Sequence, residues 1–439
     1  MDRTRTESNK RSLRFSLLDG ICASGMAGFI QDYLAPFLLL LGGTVRDIGA
    51  LSALPNLFSS LVQLKSPDLT ATLRSRKRII IIFVALQTLM IVPMVVLALG
   101  GAARPSFFIV IVIFFTSFGA FANPPWSSLM SDLVPENERG SFFGWRNKVL
   151  GFITVAVTFI AGFILHESQR TNVYRGFAVI FSCAFILRAG SWYFLTRMGE
   201  PSLAHAKEHS FTIRAFLSRV KESNFAQFVI FVSSMTFAVN IAAPFFVVLM
   251  LRELHFSYLL YSAITVTATL TMYCTIQRWG HLADRIGNLR VLAFVSPIIA
   301  VLPVLWVINR HPAYLFFVQV VGGFVWAGFN LCASNFIYDA VTPEKRTRCI
   351  SYFNVLNGIA LCIGALLGGT LVQKLPPLFG HRILSLLLIS SAIRLIIAFS
   401  MPRRLKEVRP VKHIRSADLF FSVIGVKALI GIDRKAVRF

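Results

Sequence analysis

The chain alternates between long apolar runs and short polar segments, and this pattern predicts its main structural elements. A helix needs about 20 apolar residues to span the hydrocarbon core of a bilayer. Because lipid offers no water to the backbone, spanning segments of this kind must be helices. We therefore predict an all-α membrane protein with twelve transmembrane helices, at about residues 14–41, 46–65, 78–99, 105–131, 141–166, 174–196, 225–251, 256–278, 290–309, 312–338, 349–374 and 379–400.

Composition and charge add an orientation to this picture. The chain has 439 residues, of which 55% are hydrophobic and 15% charged, with a formal net charge of +24. If the N-terminus is cytoplasmic, 34 of the 44 basic residues fall on the cytoplasmic side and eight on the other, as the positive-inside rule requires. We predict a multi-pass protein of the plasma (inner) membrane with both termini cytoplasmic. The excess charge then reflects topology and anionic lipid, so it predicts no nucleic-acid partner.

The six cysteines fall in or beside predicted helices, and none forms a CxxC pair. Such cysteines behave as small apolar packing residues, so we expect neither disulfides nor metal ligands. The sequence also contains no recognisable nucleophile motif and no phosphate-binding Gly-rich loop. We therefore expect no cofactor and no enzymatic activity.

The second half of the chain repeats the first. A shift of 207 residues aligns 123–151 with 330–358, with seven identities in 29 positions, among them Asn123/Asn330, Asp132/Asp339 and Arg139/Arg346. Shifts of 208 and 206 align Asp32 with Asn240 and Arg188 with Arg394. Two halves in the same orientation are one of the repeat arrangements of transporters. The predicted units are a six-helix bundle at 1–196, a cytoplasmic linker at 197–224, a second bundle at 225–400 and a basic cytoplasmic tail at 401–439.

A short charged stretch, "GHLADRIGNLR" at 280–290, follows predicted helix 8. It resembles the loop signature that the major facilitator superfamily carries after the second helix of a half. The repeat and the topology extend this resemblance over nearly the whole chain. The stretches "LGGTVRDIGALSALPNLFSSLVQLKSP" and "DLVPENERGSFFGWRN" further resemble a bacterial and archaeal branch of the family without an assigned substrate. The resemblance implies that helices 1, 4, 7 and 10 line a central cavity.

The same stretch predicts a cytoplasmic latch. Gly280 and Gly287 suit a tight turn between two spans. Asp284 is expected to accept hydrogen bonds from the first amides of a neighbouring helix, which the resemblance implies is helix 11. It also implies that Arg285 pairs with Asp339, in a latch that includes Arg290 and closes one transport state. The alternative is that these charges are solvated and only fix the topology.

The first half departs from that pattern. In "SPDLTATLRSRKR" (66–78), Thr72 falls where Asp284 would align. We still expect Asp132, with Arg139, to bond the basic loop at 74–78. In the second half, we expect Asp339, with Arg346, to bond the loop near 285.

Ionisable residues inside the membrane are functional candidates by default. Asp32 lies 18 residues beyond Arg14, or roughly 27 Å along a helix. We predict that it couples protons or binds cargo, and that it shares a helix face with Gly25 and Gly28. Asp19 is the second candidate, although its place near the cytoplasmic end suits a contact with Arg14 or lipid headgroups.

Other candidates are amides and aromatic residues on helices 4, 7 and 10. An amide beside an aromatic ring suits a polar or amphipathic cargo, whereas the alternative is hydrogen bonding between helices. This set comprises Asn123, Trp126, Asn240, Trp326 and Asn330.

Four basic residues need separate interpretations. Arg146 and Lys148 open helix 5 and could attract an anionic cargo, but we favour snorkelling to the cytoplasmic interface. Arg188 and Arg394 occur at matching places in helices 6 and 12, which favours a structural role.

Taken together, these features predict a monomeric secondary transporter that moves a small solute by alternating access, with a proton gradient as the expected driving force. The alternatives are a lipid flippase of the same fold or a receptor that binds a ligand without moving it.

Overall fold

A computed structural model describes residues 2–73, 75–101, 104–134, 139–200, 223–341, 343–402 and 405–408. Within these ranges the side chains of 2–10, 67, 68, 71, 139–141 and 343–348 are not described. The predicted amphipathic stretch of the linker and most of the basic tail therefore lie outside the described residues.

The first half contains helices α1 to α6. They are α1 (Asp2–Ile30, a 3₁₀ turn Gln31–Tyr33, and Leu34–Leu40), α2 (Val45–Leu73), α3 (Arg76–Leu89 and Ile91–Gly100), α4 (Pro105–Leu133), α5 (Arg139–Ser168) and α6 (Val173–Arg197). The second half contains α7 (Asn224–Asn240, a 3₁₀ turn Ala243–Phe245, Phe246–Val248, and a π turn Leu249–Glu253), α8 (Tyr258–Ile286), α9 (Asn288–Ile308), α10 (Pro312–Ala340), α11 (Pro343–Lys374) and α12 (Arg382–Ser400).

Eleven of these twelve helices are long and apolar enough to cross a membrane. The exception is α2, which has 29 residues. Pro55, Asn56 and Gln63 lower its hydropathy. The predicted all-α membrane fold with two six-helix halves is confirmed.

Helices α1 and α7 are broken at matching positions. The sequence analysis predicted neither break. A proline ring removes the backbone N–H that would bond the carbonyl four residues earlier, and it also clashes with that carbonyl. Pro36 therefore leaves the carbonyl of Asp32 without its helical partner, and Pro244 does the same at Asn240. The carbonyl of Asp32 instead accepts a hydrogen bond of 2.9 Å from the Tyr261 hydroxyl on α8.

The two halves meet through α2 against α11 and α5 against α8. We call the side at which α2, α4, α6, α8 and α10 end the linker side, and the opposite side the far side. A Cβ added to Gly49 near the far end of α2 would lie 2.7 Å from the carbonyl oxygen of Ala365 on α11. A Cβ on Gly151, halfway along α5, would lie 2.6 Å from the ring of Tyr273 on α8. The named contacts thus run from mid-depth to the far side.

The hydrophobic cores follow the same division. One buried cluster contains residues of both halves, such as Phe37 and Phe177 from the first and Phe245 and Leu384 from the second. On the linker side the clusters are separate, one built by the second half and one by the first. In this conformation the halves share a core on the far side and have their own cores on the linker side.

Candidate functional site

A cavity of about 270 Å³ in the first half, which we call the first-half cavity, contains the charged side chains Asp19, Arg146 and Arg188. Asp19 is only 5% exposed. Its Oδ1 accepts a hydrogen bond of 2.6 Å from the Ser191 hydroxyl on α6. The expectation that Asp19 meets Arg14 or lipid headgroups is therefore wrong, because this face of α1 packs against α6.

Arg188 and Arg394 occupy matching places but have different partners. Arg188 donates to the Ser191 hydroxyl at 3.0 Å and to the amide oxygen of Gln87. Arg394 donates to the backbone carbonyls of Ile299 and Val239, at 3.3 and 3.2 Å. The contacts of Arg394 fit the predicted structural role, since backbone carbonyls of two neighbouring helices hold its charge. Arg188 belongs instead to a polar cluster with Asp19.

Arg146 does not snorkel, which corrects the sequence-based interpretation. It is 6% exposed, and its guanidinium carbon lies 4.7 Å from the ring centroid of Trp126, a cation–π distance. Its Nη2 donates to the carbonyl of Ser16 at 3.1 Å. Gly20 makes this placement possible, because an added Cβ there would lie 2.5 Å from Nη2. Lys148, two residues later, is exposed.

A second cavity, of about 390 Å³, lies between α7, α10 and α11 and is called the second-half cavity. The Thr236 hydroxyl donates to the Asn357 amide oxygen at 2.9 Å, and the Asn357 amide donates to the Phe353 carbonyl at 3.0 Å. The Asn330 amide lies 3.8 Å from the sulfur of Met272. Trp326 packs edge-on against Phe329, with the ring centroids 5.5 Å apart. The described residues that line this cavity include neither an acid nor a base.

The two cavities are related by the sequence repeat. Asn123, which lines the first, aligns with Asn330, which lines the second. Trp126 and Trp326 also line the first and the second cavity but do not align with each other in the repeat. The candidate cargo residues on α4 and α10 are thus placed at cavity walls, in matching helices. Asn240 is different, because its amide donates to the Thr236 carbonyl of its own helix at 2.9 Å. That contact lies within α7, so it supports neither cargo binding nor a hydrogen bond between helices, and both interpretations of Asn240 stay predictions.

Asp32 lines a third cavity, of about 290 Å³, which lies between the halves and is called the interhalf cavity. Its walls come from the breaks in α1 and α7 and from Tyr261, Thr265 and Gln319 on α8 and α10. Within the described part of the chain, the Asp32 carboxylate makes no hydrogen bond. Asp32 does not share a face with Gly25 and Gly28 as predicted, because the 3₁₀ turn rotates it. Those glycines pack on Leu187 and on Thr154 with Val157.

Beside this cavity, polar contacts join the halves on the far side. The Tyr33 hydroxyl lies 2.7 Å from the Ser262 hydroxyl on α8 and also donates to the Thr158 carbonyl on α5. Arg252 at the end of α7 donates to the Leu39 carbonyl on α1 at 2.9 Å. Sequence reasoning did not identify these residues, because hydroxyl-bearing side chains within apolar helices carry no distinctive pattern.

The charged stretch at 280–290 is mostly helix rather than the predicted loop. Helix α8 continues to Ile286, so Gly280, Asp284 and Arg285 lie within it. The turn itself consists of Gly287, whose φ of +95° favours glycine. An added Cβ at Gly287 would also meet the Glu407 carboxylate. Arg290 lies in the first turn of α9.

Two acidic residues hold the start of α9. Asp339 accepts a hydrogen bond of 2.8 Å from the Asn288 amide, and Glu407 accepts one of 2.8 Å from the backbone N–H of Leu289. Arg285 is exposed, and its expected pair with Asp339 is not among the contacts of the described residues. A latch formed by that pair in another state stays a prediction. The expected contact of Asp284 falls at the start of α11, where side chains are not described.

Two acidic residues, Asp132 and Glu200, likewise bind the start of α3. Arg76 is 2% exposed, and its Nη1 lies 2.6 Å from Asp132, so the predicted contact of Asp132 with the basic loop is present. Glu200 accepts a hydrogen bond of 2.7 Å from the backbone N–H of Arg76. Sequence reasoning missed Glu200 and Glu407, although they are 207 positions apart, which is the shift of the repeat. The side chains of Arg139 and Arg346 lie outside the described residues.

Comparison with known proteins agrees with this architecture. The family model described as Major Facilitator Superfamily matches residues 20–239 and 228–431. Among curated proteins, "Efflux pump azaK" of Aspergillus niger is 30% identical over 95 residues, which cover 22% of this chain and 20% of the pump's own length.

Solved structures of transporters have the same fold. A mutant of the nucleoside transporter NupG is 15% identical with a TM-score of 0.70, covering 90% of this chain and all of its own. A bacterial homologue of the human lysosomal transporter Spinster, in an inward-facing conformation, is 12% identical with a TM-score of 0.65, covering 92% of this chain and 99% of its own. A POT family transporter in complex with 5-aminolevulinic acid is 11% identical with a TM-score of 0.70, covering 90% of this chain and 97% of its own. At these identities the likeness is one of fold.

Proposed function

The chain belongs to the major facilitator superfamily, and on that premise we propose that it is a secondary transporter that moves a small solute by alternating access. The observation that carries this proposal is the division of the hydrophobic cores. On the far side one core joins both halves, and on the linker side each half has its own. This is the arrangement expected of one end state, in which two rigid bundles have rocked together on one side of a midplane site.

The position of the cavities supports the same proposal. The first-half and second-half cavities lie in the linker-side half of their bundles, at matching helices. Among the described residues, the side-chain hydrogen bonds that join the halves on the far side are those of Tyr33 with Ser262, Tyr261 with the Asp32 carbonyl and Arg252 with the Leu39 carbonyl. Few buried hydrogen bonds must therefore break when the far side opens.

We further propose that Asp32 couples transport to a proton gradient. Its carboxylate lines the interhalf cavity, and its own backbone carbonyl bonds to Tyr261 of the other half. Protonation there would change the charge of a cavity whose walls must part in the opposite state. Buried ionisable groups in membrane proteins are commonly such proton relays.

Alternating access can be tested without a known solute. In a variant with the six native cysteines replaced, Gln31→Cys reports on the interhalf cavity and Asn123→Cys on the first-half cavity. We expect an imposed pH gradient or a bound solute to change their labelling by a membrane-impermeant thiol reagent in opposite directions. Parallel changes, or none, would contradict alternating access.

Proton coupling is tested by flux in liposomes, with a solute identified by thermal stabilisation of the purified protein. At 100 times its dissociation constant a ligand stabilises the folded protein by roughly 2.7 kcal/mol, which is easily measured. Asp32→Asn should abolish accumulation driven by the proton gradient and preserve solute exchange. Glu167→Gln, which removes a half-exposed carboxylate from the far side, should affect neither.

Three other outcomes would redirect the proposal. Unchanged proton-driven uptake in Asp32→Asn would remove that residue from coupling. Tight binding with no flux would favour a receptor. Activity only toward labelled lipid would favour a flippase.

A further inference from the structure

We propose that the first-half cavity binds the negatively charged group of a monoanionic organic acid, whereas the walls of the second-half cavity suit uncharged polar and aromatic groups. This inference names the class of solute for the proposed transporter and rests on that function only for the step of translocation. The binding of the anion can be tested separately.

The first argument is the balance of charge in the first-half cavity. Two guanidinium groups, Arg146 and Arg188, lie close enough to Asp19 to be attracted by it. Within the described residues, Asp19 is the one acid that lines this cavity. The walls therefore carry one positive charge in excess. Buried charges are stable when they are paired, so a bound monoanion would complete the balance.

The second argument is the availability of hydrogen-bond donors on Arg146. Its side chain is buried, yet among the described residues it makes a single hydrogen bond, from Nη2 to the Ser16 carbonyl. A guanidinium group offers five N–H donors in a planar fork that matches a carboxylate. Stacking on Trp126 fixes the plane of that fork at the cavity wall, which lowers the entropy lost when a ligand binds.

Arg188 has a different part in this arrangement. It already bonds to Ser191 and Gln87 and lies beside Asp19. It therefore positions Asp19 and contributes positive potential to the cavity. Arg146 is the residue that we expect to touch the anion.

The third argument is the contrast between positions that the repeat makes equivalent. With the shift of 207 residues, Arg146 corresponds to Phe353, Trp126 to Ala333 and Leu150 to Asn357. All six of these residues line their respective cavities. The second-half cavity thus replaces the charge with a ring and adds an amide. The walls of the second-half cavity therefore suit an aromatic or aliphatic group that carries a hydroxyl or an amide.

The experiment uses the purified full chain and four probes in two matched pairs. The pairs are indole-3-acetate with indole-3-acetamide and 4-phenylbutyrate with 4-phenylbutyramide, measured by isothermal titration calorimetry. The two molecules of a pair have the same aromatic ring, but one carries a charged carboxylate and the other a neutral amide. We expect each carboxylate to bind about tenfold to a hundredfold more tightly than its amide, the range of a charge-assisted hydrogen bond. Equal affinities, or no binding of any probe to the folded protein, would overturn the inference.

Four variants localise the effect. Arg146→Gln should remove the preference for the carboxylate and leave the amide affinity unchanged. Lys148→Gln removes an equal charge from the same helix at an exposed position and should keep the preference. Asp19→Asn should tighten carboxylate binding severalfold, because it removes the competing acid. If Arg146→Gln does not fold, Arg146→Lys replaces it in the experiment. It should weaken binding of the carboxylate but not of the amide, because the charge remains while the planar guanidinium fork is lost. An unchanged preference in the Arg146 variant would contradict the assignment.

Flux measurements separate this inference from the proposed function. Transport of an amide without binding of the carboxylate would refute the anion site and leave the transporter standing. Carboxylate binding that depends on Arg146, without any flux in liposomes, would support the site and refute transport.

Discussion

The hydroxyl of Tyr33 on α1 lies 2.7 Å from the hydroxyl of Ser262 on α8, and so joins the two halves of the molecule. Both residues are fully buried. Tyr33 also donates to the Thr158 carbonyl on α5, and Gly162 on α5 leaves room for the pair, since an added Cβ would meet the Ser262 hydroxyl. Three helices thus converge on one polar contact in the seam between the halves on the far side.

We predict that Tyr33→Phe weakens closure of the far side. The change leaves the ring in place but removes the hydroxyl, so the buried Thr158 carbonyl loses a partner, at a cost of about 1–3 kcal/mol. The expected result is a lower unfolding temperature and faster labelling of Gln31→Cys in a background without native cysteines. Tyr193→Phe is the control, because that hydroxyl is on an exposed side chain and accepts from Arg197. Identical labelling rates in the two variants would count against the seam.

Gly49 tests the close approach of α2 and α11. An alanine Cβ there would lie 2.7 Å from the Ala365 carbonyl oxygen, so the two backbones must separate. We expect Gly49→Ala to cost about 1–3 kcal/mol of stability, the usual range for overpacking. It should also shift labelling toward states that open on the far side.

The matched control for this glycine is Gly100→Ala at the end of α3. An added Cβ there meets nothing within 4 Å. Alanine is a better helix former than glycine by about 0.8–1 kcal/mol, so this variant should be neutral or slightly more stable. A Gly49→Ala protein as stable as the Gly100→Ala protein would show that the helices have spare room.

The acidic residues Glu200 and Glu407 should stabilise the starts of α3 and α9. At the start of α9, Glu407 accepts from one backbone N–H, that of Leu289. At the start of α3, Glu200 accepts from the N–H groups of Arg76 and Lys77 and from the Ser75 hydroxyl. Loss of one helix cap costs about 1 kcal/mol, and a carboxylate at a helix start adds a favourable dipole interaction. We therefore expect Glu407→Ala to lower the unfolding midpoint and Glu200→Ala to lower it further.

Thermal unfolding of the two single variants and the double variant measures these caps. Because they lie in different halves, their effects should add. Glu167→Ala, at a half-exposed site on the far side, should leave the midpoint unchanged. A larger effect of Glu407 than of Glu200 would contradict the bond count.

The repeat explains why parts of the site could be predicted. Asn123 and Asn330 line matching cavities because the same helix, in the same orientation, was found twice in the sequence. Asp132 meets the basic loop because an acid at the end of one helix is close to the next connection. Glu200 and Glu407 follow the same shift and could have been found by extending the comparison past the sixth helix of each half.

Arg146 and Asp19 show where the prediction failed. Arg146 lies two turns inside its helix, and Asp19 lies one to two turns beyond the predicted start of helix 1 at residue 14. At such a depth a side chain can reach headgroups or turn toward a neighbouring helix. The choice depends on which face of α1 packs on α5 and α6, and on Gly20 and Trp126, which make room for the guanidinium group and stack on it. Spacing along one helix does not contain that information.

The sequence by itself determined that the chain spans the membrane in two equivalent halves. Hydropathy and the repeat at a shift of about 207 residues can both be found from the order of the residues alone. Tertiary structure alone decided which intramembrane charges share a cavity and on which side the two halves are joined. Those features depend on contacts between helices far apart in sequence, such as Asp19 with Ser191 and Tyr33 with Ser262. The energy of a buried charge is set by the partners it meets there, and packing brings those partners together.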